Sequence, residues 1–276
     1  MHLLIATNNL FPDPGAGGSG RYVTEVGKRF VSRGHDVSVV TKRRNDSPER
    51  GSIEGMDVFR YDGSPMALPR SARSVSEWCQ EINRSNPVDL INFHGPLSAL
   101  LVDRSLPRPI PRSYTFHGPW PAEYRERSRE RPPVIVKAGI RARALVERRA
   151  LQQSDLSITL SDFMRQQMND WHPNAPAGPV IPGGVDIERF TPDSPRLGSI
   201  DAGLSFLTVR RLTPRMGLES LLDAFAAVGR EVPNAHLYIA GDGPLRSALE
   251  SRADSLGIEP SVTFLGFVEE QALASA

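Results

Sequence analysis

Two histidines stand at matching places in this chain. Val88-Asp89-Leu90-Ile91-Asn92-Phe93 reads as a strand running into His94-Gly95-Pro96, and Arg112-Ser113-Tyr114-Thr115-Phe116 as a strand running into His117-Gly118-Pro119. Imidazole can hold, accept or release a proton near neutral pH. A lone histidine is ordinarily a surface group or a satisfied core group. Two at equivalent strand ends, each before Gly-Pro, weigh His117 toward a working role. The second feature is Gly15-Ala16-Gly17-Gly18-Ser19-Gly20, a glycine turn in which Gly15, Gly17 and Gly20 fit G-x-G-x-x-G. A glycine turn entering a helix leaves backbone N–H groups and the positive end of the helix dipole facing outward, which suits a phosphate. The plain alternative is a flexible connection with no ligand.

These residues need a frame. His2-Leu3-Leu4-Ile5-Ala6-Thr7 reads as a short apolar strand ahead of the turn, and Tyr22, Val23, Val26 and Phe30 recur behind it at helical spacing up to Gly34. Arg33-Gly34-His35-Asp36 then turns into a second strand over residues 37–41. Strand, helix and strand in about 40 residues make a βαβ unit, and hence a parallel sheet with right-handed crossovers. Open parallel sheets bind ligands outside the carboxyl ends of their strands, so both histidines and the glycine turn fall on one rim. Residues 42–75 are polar and broken by Gly and Pro, with a short strand at Val58-Phe59-Arg60-Tyr61. Residues 76–84 read as a helix with Trp78 and Ile82 on one face.

Further on, residues 156–160 read as a strand, and Ser161-Asp162 caps a helix carrying Phe163, Met164, Gln167 and Met168. The stretch 191–203, rich in Pro, Gly, Ser and Asp, marks a linker. The same grammar then restarts: strands at 204–209, 236–240 and 262–265, with Leu218, Leu221, Leu222, Phe225 and Val228 as one helix stripe and Leu245, Leu249 and Leu256 as another. The expectation is an α/β chain with a first domain at 1–190, a linker at 191–203 and a second α/β domain at 204–276. About three strands is few for a sheet that ordinarily has ~4–6.

Bulk composition excludes several functions. Lys and Arg number 33 against 32 Asp and Glu, a formal net charge of +1, which argues against a dedicated nucleic-acid binder. With Cys79 as the single cysteine no intramolecular disulfide forms, and a reducing, cytoplasmic compartment is expected. The first residues enter a strand at once, without the leader of a signal peptide. No stretch approaches the ~20 apolar residues of a spanning helix. Residues 123–149 carry Arg125, Arg127, Arg129, Arg131, Lys137, Arg141, Arg143, Arg148 and Arg149, only partly offset by Glu123, Glu126, Glu130 and Glu147. The segment reads as a solvated, helix-rich surface; the sharper reading is a peripheral contact with anionic membrane lipid or a phosphorylated acceptor.

With these segments in order, the chain resembles the GT-B-fold glycosyltransferases of family 4, the retaining, sugar-nucleotide-dependent group. Gly17-Gly18 followed by Arg33-Gly34-His35-Asp36-Val37 looks like the family's opening, and Phe116-His117-Gly118-Pro119-Trp120 like its acceptor-side histidine loop. Leu160-Ser161-Asp162-Phe163 and Ile181-Pro182-Gly183-Gly184-Val185-Asp186, with Phe190, resemble its interdomain segment. Arg210-Arg211-Leu212-Thr213-Pro214-Arg215-Met216-Gly217-Leu218 resembles its donor-phosphate motif. Gly241-Asp242-Gly243-Pro244 and Phe264-Leu265-Gly266-Phe267-Val268 complete the series.

The resemblance implies two Rossmann-like domains facing a cleft, the second incomplete. It implies transfer of a sugar from a UDP- or GDP-linked donor to an acceptor hydroxyl (a saccharide, a lipid-linked sugar or a small alcohol) with retention. Negative charge grows on the departing diphosphate in such a reaction, and fixed cations and N–H dipoles stabilise it. The resemblance assigns Arg211 and the Gly17-Gly18 turn to the diphosphate, Gly241, Phe267 and Val268 to the donor site, with Phe267 and Val268 at its nucleotide base, and His117 to the reacting sugar, with His94 and Trp120 on the acceptor side. It implies no metal and no cofactor beyond the donor, and the six histidines show no paired metal-ligand spacing. Where the family usually has a lysine, this chain has Met216, and the neighbouring Arg215 is the substitute cation. The family's paired-glutamate motif and its returning helix would follow the last residue.

Two other readings stay open. One is a remnant that binds acceptor, partner or nucleotide without turnover. The other is an NADP-dependent oxidoreductase in which Arg43-Arg44 meets the 2′-phosphate. Against the latter, Asn8 to Pro14 separates strand from glycines, whereas that fingerprint follows its strand directly. Gly-x-Ser-x-Gly is absent, which argues against an α/β-hydrolase.

Overall fold

The computed structural model describes the chain except for residues 14, 45–46, 129–130, 192–203, 270–271 and 276. The described residues form two compact units, Met1–Gly183 and Gly184–Ala276. Most of the expected linker, at 192–203, lies outside the described residues.

In the first unit, β1 (His2–Thr7), β2 (Asp36–Lys42), β3 (Arg50–Ile53), β4 (Met56–Tyr61), β5 (Leu90–Phe93), β6 (Arg112–Phe116) and β7 (Leu156–Thr159) form one sheet in the order β3-β4-β2-β1-β5-β6-β7. All neighbours are parallel except β3 and β4. Around the sheet lie α1 (Gly18–Ser32), α2 (Leu68–Ser85), α3 (Pro96–Asp103), α4 (Trp120–Arg127), α5 (Pro133–Gln152) and α6 (Asp162–Trp171).

Every residue of β1 is buried, and its alternation divides the core in two. Leu3 and Ile5 pack with Val23 of α1 and with Val37, Val39, Met56 and Val58. Leu4 and Ala6 face the other way, onto Val75, Trp78, Cys79 and Ile82 of α2, Val102 of α3, Leu151 of α5 and Met168 of α6. A strand covered on both faces needs an unbroken apolar run. Each buried Leu or Ile contributes roughly 1.5–3 kcal/mol relative to exposure, so β1 anchors the layers. Cys79 is free and buried, and burial pushes its thiol up to about 12.

Two buried ion pairs shape the loops. Arg60 of β4 grips Asp13 through Nε (2.8 Å) and Nη2 (3.1 Å), tying the segment after β1 back to the sheet. Arg112, at the start of β6, is 1% exposed. Its Nε donates to Asp103 Oδ1 at 2.9 Å, and its Nη2 donates to the carbonyls of Leu106 and Pro107 at 3.1 Å. The expected cap of α6 is present, with Ser161 Oγ accepting from the Met164 N–H at 3.1 Å.

The second unit holds β8 (Leu204–Val209), β9 (Ala235–Ala240) and β10 (Val262–Gly266), all parallel in the order β10-β9-β8, with α7 (Leu218–Glu231) and α8 (Arg246–Ser255). Leu218, Leu222 and Phe225 of α7 pack with Leu237 and Ile239 of β9 and Leu249 of α8. β8 ends the sheet with its side chains wet on both faces: Leu204, Phe206, Leu207 and Val209 are all exposed.

Candidate functional site

The parallel order lines up strand ends of the first unit into a rim. Thr7 ends β1, Lys42 ends β2, His94 follows β5 and His117 follows β6. Because β5 and β6 are neighbours, the histidines meet. His94 Nδ1 and His117 Nε2 are 2.9 Å apart, and the rings stack with centroids 5.2 Å apart. Tyr22, on the first turns of α1, touches both rings, at 5.8 Å from His94 and edge-on at 5.3 Å from His117. The two histidines and the helix behind the glycine turn are thus one cluster.

Asn92, in the middle of β5, sets the protons of this pair. Its Nδ2 donates to Ser113 Oγ (2.8 Å) and Thr115 Oγ1 (3.1 Å), which leaves Oδ1 facing His94 Nε2 in a short hydrogen bond. His94 Nε2 therefore carries the hydrogen, and its Nδ1 accepts from His117 Nε2–H. By elimination the lone pair of neutral His117 sits on Nδ1. Burial holds His94 well below the usual imidazole range, reinforced by the neighbouring ring, and burial lowers His117 to about 4. Near neutrality both rings are uncharged, and His117 offers an acceptor rather than a cation. Asn92 was not singled out from sequence; a polar amide inside Leu90-Ile91-Asn92-Phe93 was the available signal.

The turn at Gly95 is forced by close approach. A Cβ there would lie 2.6 Å from Asn8 Cγ and 2.8 Å from the Asn8 backbone nitrogen. Trp120 opens α4, and its N–H donates to both oxygens of Glu147 at 3.1 and 3.2 Å. Glu147 comes from α5 and also accepts from His172 Nε2 at 2.8 Å. Burial raises the Glu147 carboxyl, and His172 and the Trp120 N–H pull it down. A buried carboxylate accepting from the backbone N–H of Trp120 complements the helix dipole at the first turn of α4 and ties α5 to that turn. Arg143 lies over Tyr124 at 3.6 Å and over Trp120 at 5.2 Å. His94, His117, Trp120, Glu147, Lys42 and Arg44 are among the walls of a cavity of about 260 Å³.

The glycine turn differs in detail from its sequence reading. Gly18, Ser19 and Gly20 already belong to α1, and Gly17 is its N-cap with no side-chain cap. The turn is held by Thr24 Oγ1 donating to the Phe11 carbonyl at 2.7 Å. Gly17 and Gly18 thus stand at the N-terminal end of α1.

In the second unit Arg211, Gly241, Phe267 and Val268 stand just beyond the carboxyl ends of the three strands, and Arg215 lies in the turn Pro214–Met216. Arg210 and Arg211 follow β8, Gly241 follows β9, and Phe267 and Val268 follow β10. The Arg210 N–H donates to the Ala240 carbonyl (2.9 Å), Leu212 N–H to Asp242 (3.0 Å) and Gly241 N–H to Gly266 (2.6 Å), cross-tying the three loops. Gly241 has φ 130°, and a Cβ there would overlap the Arg210 carbonyl, so it packs the arginine loop. Arg211 and Arg215 are exposed, as is Phe267 at 74%. Beside Met216 the structure brings Arg210 as well as the adjacent Arg215: Arg210 Nη1 lies 3.8 Å from the methionine sulfur. Gly217, in the left-handed region at φ 70°, is the N-cap of α7 without a side-chain cap.

Among the described residues no group of three or more His, Cys, Asp or Glu is placed to hold a metal ion, and no helix is long and apolar enough to cross a membrane. An alpha-monoglucosyldiacylglycerol synthase of Streptococcus pneumoniae is 23% identical over 97% of this chain and 62% of its own length. A GDP-mannose-dependent alpha-(1-6)-phosphatidylinositol monomannoside mannosyltransferase of Mycobacterium tuberculosis is 31% identical over 46% of this chain and 35% of its own length. The chain thus spans less than two thirds of the length of these relatives. The sucrose-phosphate synthase of Thermosynechococcus elongatus superposes with a TM-score of 0.72 at 20% identity, over 99% of this chain and 72% of that one. The α/β architecture, with two Rossmann-like units, is of the GT-B kind. Residues 192–276 match the model of the glycosyl transferases group 1 and residues 16–189 that of Glycosyltransferase Family 4, and the chain belongs to glycosyltransferase family 4.

Proposed function

We propose that this chain carries the transfer machinery of a retaining glycosyltransferase, taking a hexose from a UDP- or GDP-linked donor to an acceptor hydroxyl. The observation that carries the reading is the gathering of Arg210, Arg211, Gly241 and Phe267 on the carboxyl edge of one parallel sheet, beside the uncapped N-terminus of α7. Cations and amide dipoles fixed there stabilise the charge that grows on a leaving diphosphate. Arg211 and Arg215 are the diphosphate ligands in this reading, with Phe267 and Val268 at the base. His117, uncharged and with its lone pair on Nδ1, accepts a hydrogen bond from a sugar hydroxyl; His94 holds its tautomer, and Trp120 offers a face to the acceptor. The names of the relatives support a nucleotide sugar as donor and a lipid-linked acceptor.

Calorimetry with UDP, GDP and NADP tests the donor. UDP or GDP should bind and NADP should not, and Arg211→Ala should weaken nucleotide affinity by about ten- to a hundredfold, the worth of a charge-assisted hydrogen bond. Unchanged affinity in Arg211→Ala removes the assignment. Sugar-nucleotide hydrolysis or transfer by the purified chain separates a turning-over enzyme from a binding remnant.

A peripheral membrane contact belongs to the same reading. Val134, Ile135 and Leu145 of α5 are exposed, at 79%, 54% and 65%, and Lys137, Arg141 and Arg148 lie exposed on the same helix. An apolar stripe beside basic residues suits an anionic bilayer. Co-sedimentation with phosphatidylglycerol vesicles, absent with phosphatidylcholine and lost in Val134→Asp/Ile135→Asp, is the expected result; equal recovery with both lipids removes it.

A further inference from the structure

We propose that Lys42 and Arg44 form a subsite for a phosphate ester on the acceptor, so that the first-unit cavity selects a phosphorylated sugar or polyol over its neutral parent. The inference rests on the reading of this cavity as the acceptor site of a sugar transfer. Lys42 ends β2 and Arg44 follows it, and both line the cavity that also holds His117 and Trp120.

Arg44 is held but not satisfied. Its Nη2 donates to Asn9 Oδ1, which fixes the guanidinium, while its Nε is buried and has no hydrogen-bond acceptor among the described residues. A buried donor without an acceptor is unfavourable in the free protein. Guanidinium presents its N–H groups as a planar fork matched to phosphate oxygens, and the ammonium of Lys42 adds a second, mobile donor.

The charge balance of the cavity points the same way. Its two carboxylates are engaged elsewhere: Glu123 pairs with Arg127 at 3.6 Å, and Glu147 accepts from Trp120 and His172. Among the described residues no carboxylate stands within ion-pair distance of Lys42 or Arg44; exposed Asp62 feels Lys42 only at longer range. The uncommitted charge in the cavity is positive.

From β2 to β6 the sheet order is β2-β1-β5-β6, three strand spacings of ~4.8 Å or about 14 Å between the strand ends that carry Lys42 and His117.

Calorimetry on the full chain tests the proposal, with glucose 6-phosphate, inositol 1-phosphate, glycerophosphoinositol, glucose, inositol and inorganic phosphate as probes. The phosphorylated polyols should bind about ten- to a hundredfold more tightly than glucose or inositol. That margin should collapse to within about threefold in Lys42→Ala/Arg44→Ala and be partly kept in Arg44→Lys, which retains charge without the fork. Tight binding of the monoesters assigns a free phosphorylated acceptor, and equal or tighter binding of glycerophosphoinositol a lipid headgroup. No binding of any phosphorylated polyol at millimolar concentration overturns the proposal. So does an undiminished margin in a double variant with unchanged circular dichroism. Inorganic phosphate binding as tightly as the sugar phosphates marks a bare anion site and also overturns it. UDP and GDP titrations in parallel keep the two readings apart: loss of nucleotide binding with the phosphate margin intact removes the sugar-transfer reading and leaves the phosphate subsite.

Discussion

The buried histidine pair makes the first unit sensitive to acid, and the size of the effect follows from one number. His117 titrates near 4 in the folded chain because burial disfavours its charged form, against about 6.5 when unfolded. A depressed folded value means that the unfolded chain binds the extra proton. Stability is therefore full above pH 6.5 and lost as pH falls toward 4. Between pH 7.5 and pH 5 the unfolded imidazole is almost fully protonated while the folded one is not, which amounts to about 2 kcal/mol from His117 alone. His94 is shifted in the same direction by burial and by its neighbour, so it adds to the loss. Urea unfolding at the two pH values, in the wild type and in His117→Gln, reads the contribution of His117 together with its coupling to His94, because the remaining titrating groups are common to both. Tryptophan fluorescence reports on the correct unit: Trp78, Trp120 and Trp171 all lie in Met1–Gly183. The wild type should lose about 2 kcal/mol more than the variant between pH 7.5 and pH 5. An equal loss in the two proteins would refute the claim that this imidazole is kept neutral by burial.

Three further substitutions probe other parts of the argument. Asp103→Ala leaves the buried Arg112 guanidinium without its carboxylate and should destabilise the first unit by about 3–5 kcal/mol, read by the same fluorescence titration. Asn92→Ala removes the acceptor that fixes His94 Nε2–H; ¹⁵N chemical shifts of the imidazole nitrogens should then show mixed tautomers of His94, where the wild type shows one. Gly241→Ala drives a Cβ into the Arg210 carbonyl at a φ of 130°; hydrogen exchange should report at least about 2 kcal/mol lost in the second unit, with the first unit unchanged.

Strands with strong apolar runs were legible in the amino-acid order. β1, β6 and β8 occupy the residues expected of them: burial throughout β1 and β6 demands that pattern, and β8 carries an apolar run although its apolar side chains are exposed. β3 was missed because Arg50-Gly51-Ser52-Ile53 has no apolar alternation and stays largely exposed; it exists only by pairing with β4 across the turn at Glu54-Gly55. The start of α2 at Leu68 was also missed, eight residues ahead of the expected one, since Pro69 reads as a breaker yet is tolerated in a first helical turn. The histidines were legible as residues at strand ends, but their contact depends on β5 and β6 being neighbours, which strand order alone decides. Tyr22 and Asn92, which complete that cluster, come from elements 70 residues apart, and the only local mark is the polar amide of Asn92 inside an apolar strand. Arg210 beside Met216 was hidden for a simpler reason: the adjacent Arg215 was the more obvious cation by position in the chain.

β8 has a consequence for handling the protein. Its outer backbone ends the described sheet, and Leu204, Phe206, Leu207 and Val209 offer greasy side chains to solvent on either side of it. Such a strand is a template for one more rung, and a neighbouring molecule can supply that rung as readily as any ligand can be bound. Light scattering should grow steeply with concentration, and Phe206→Lys should tame it while the sugar-phosphate titrations proceed undisturbed.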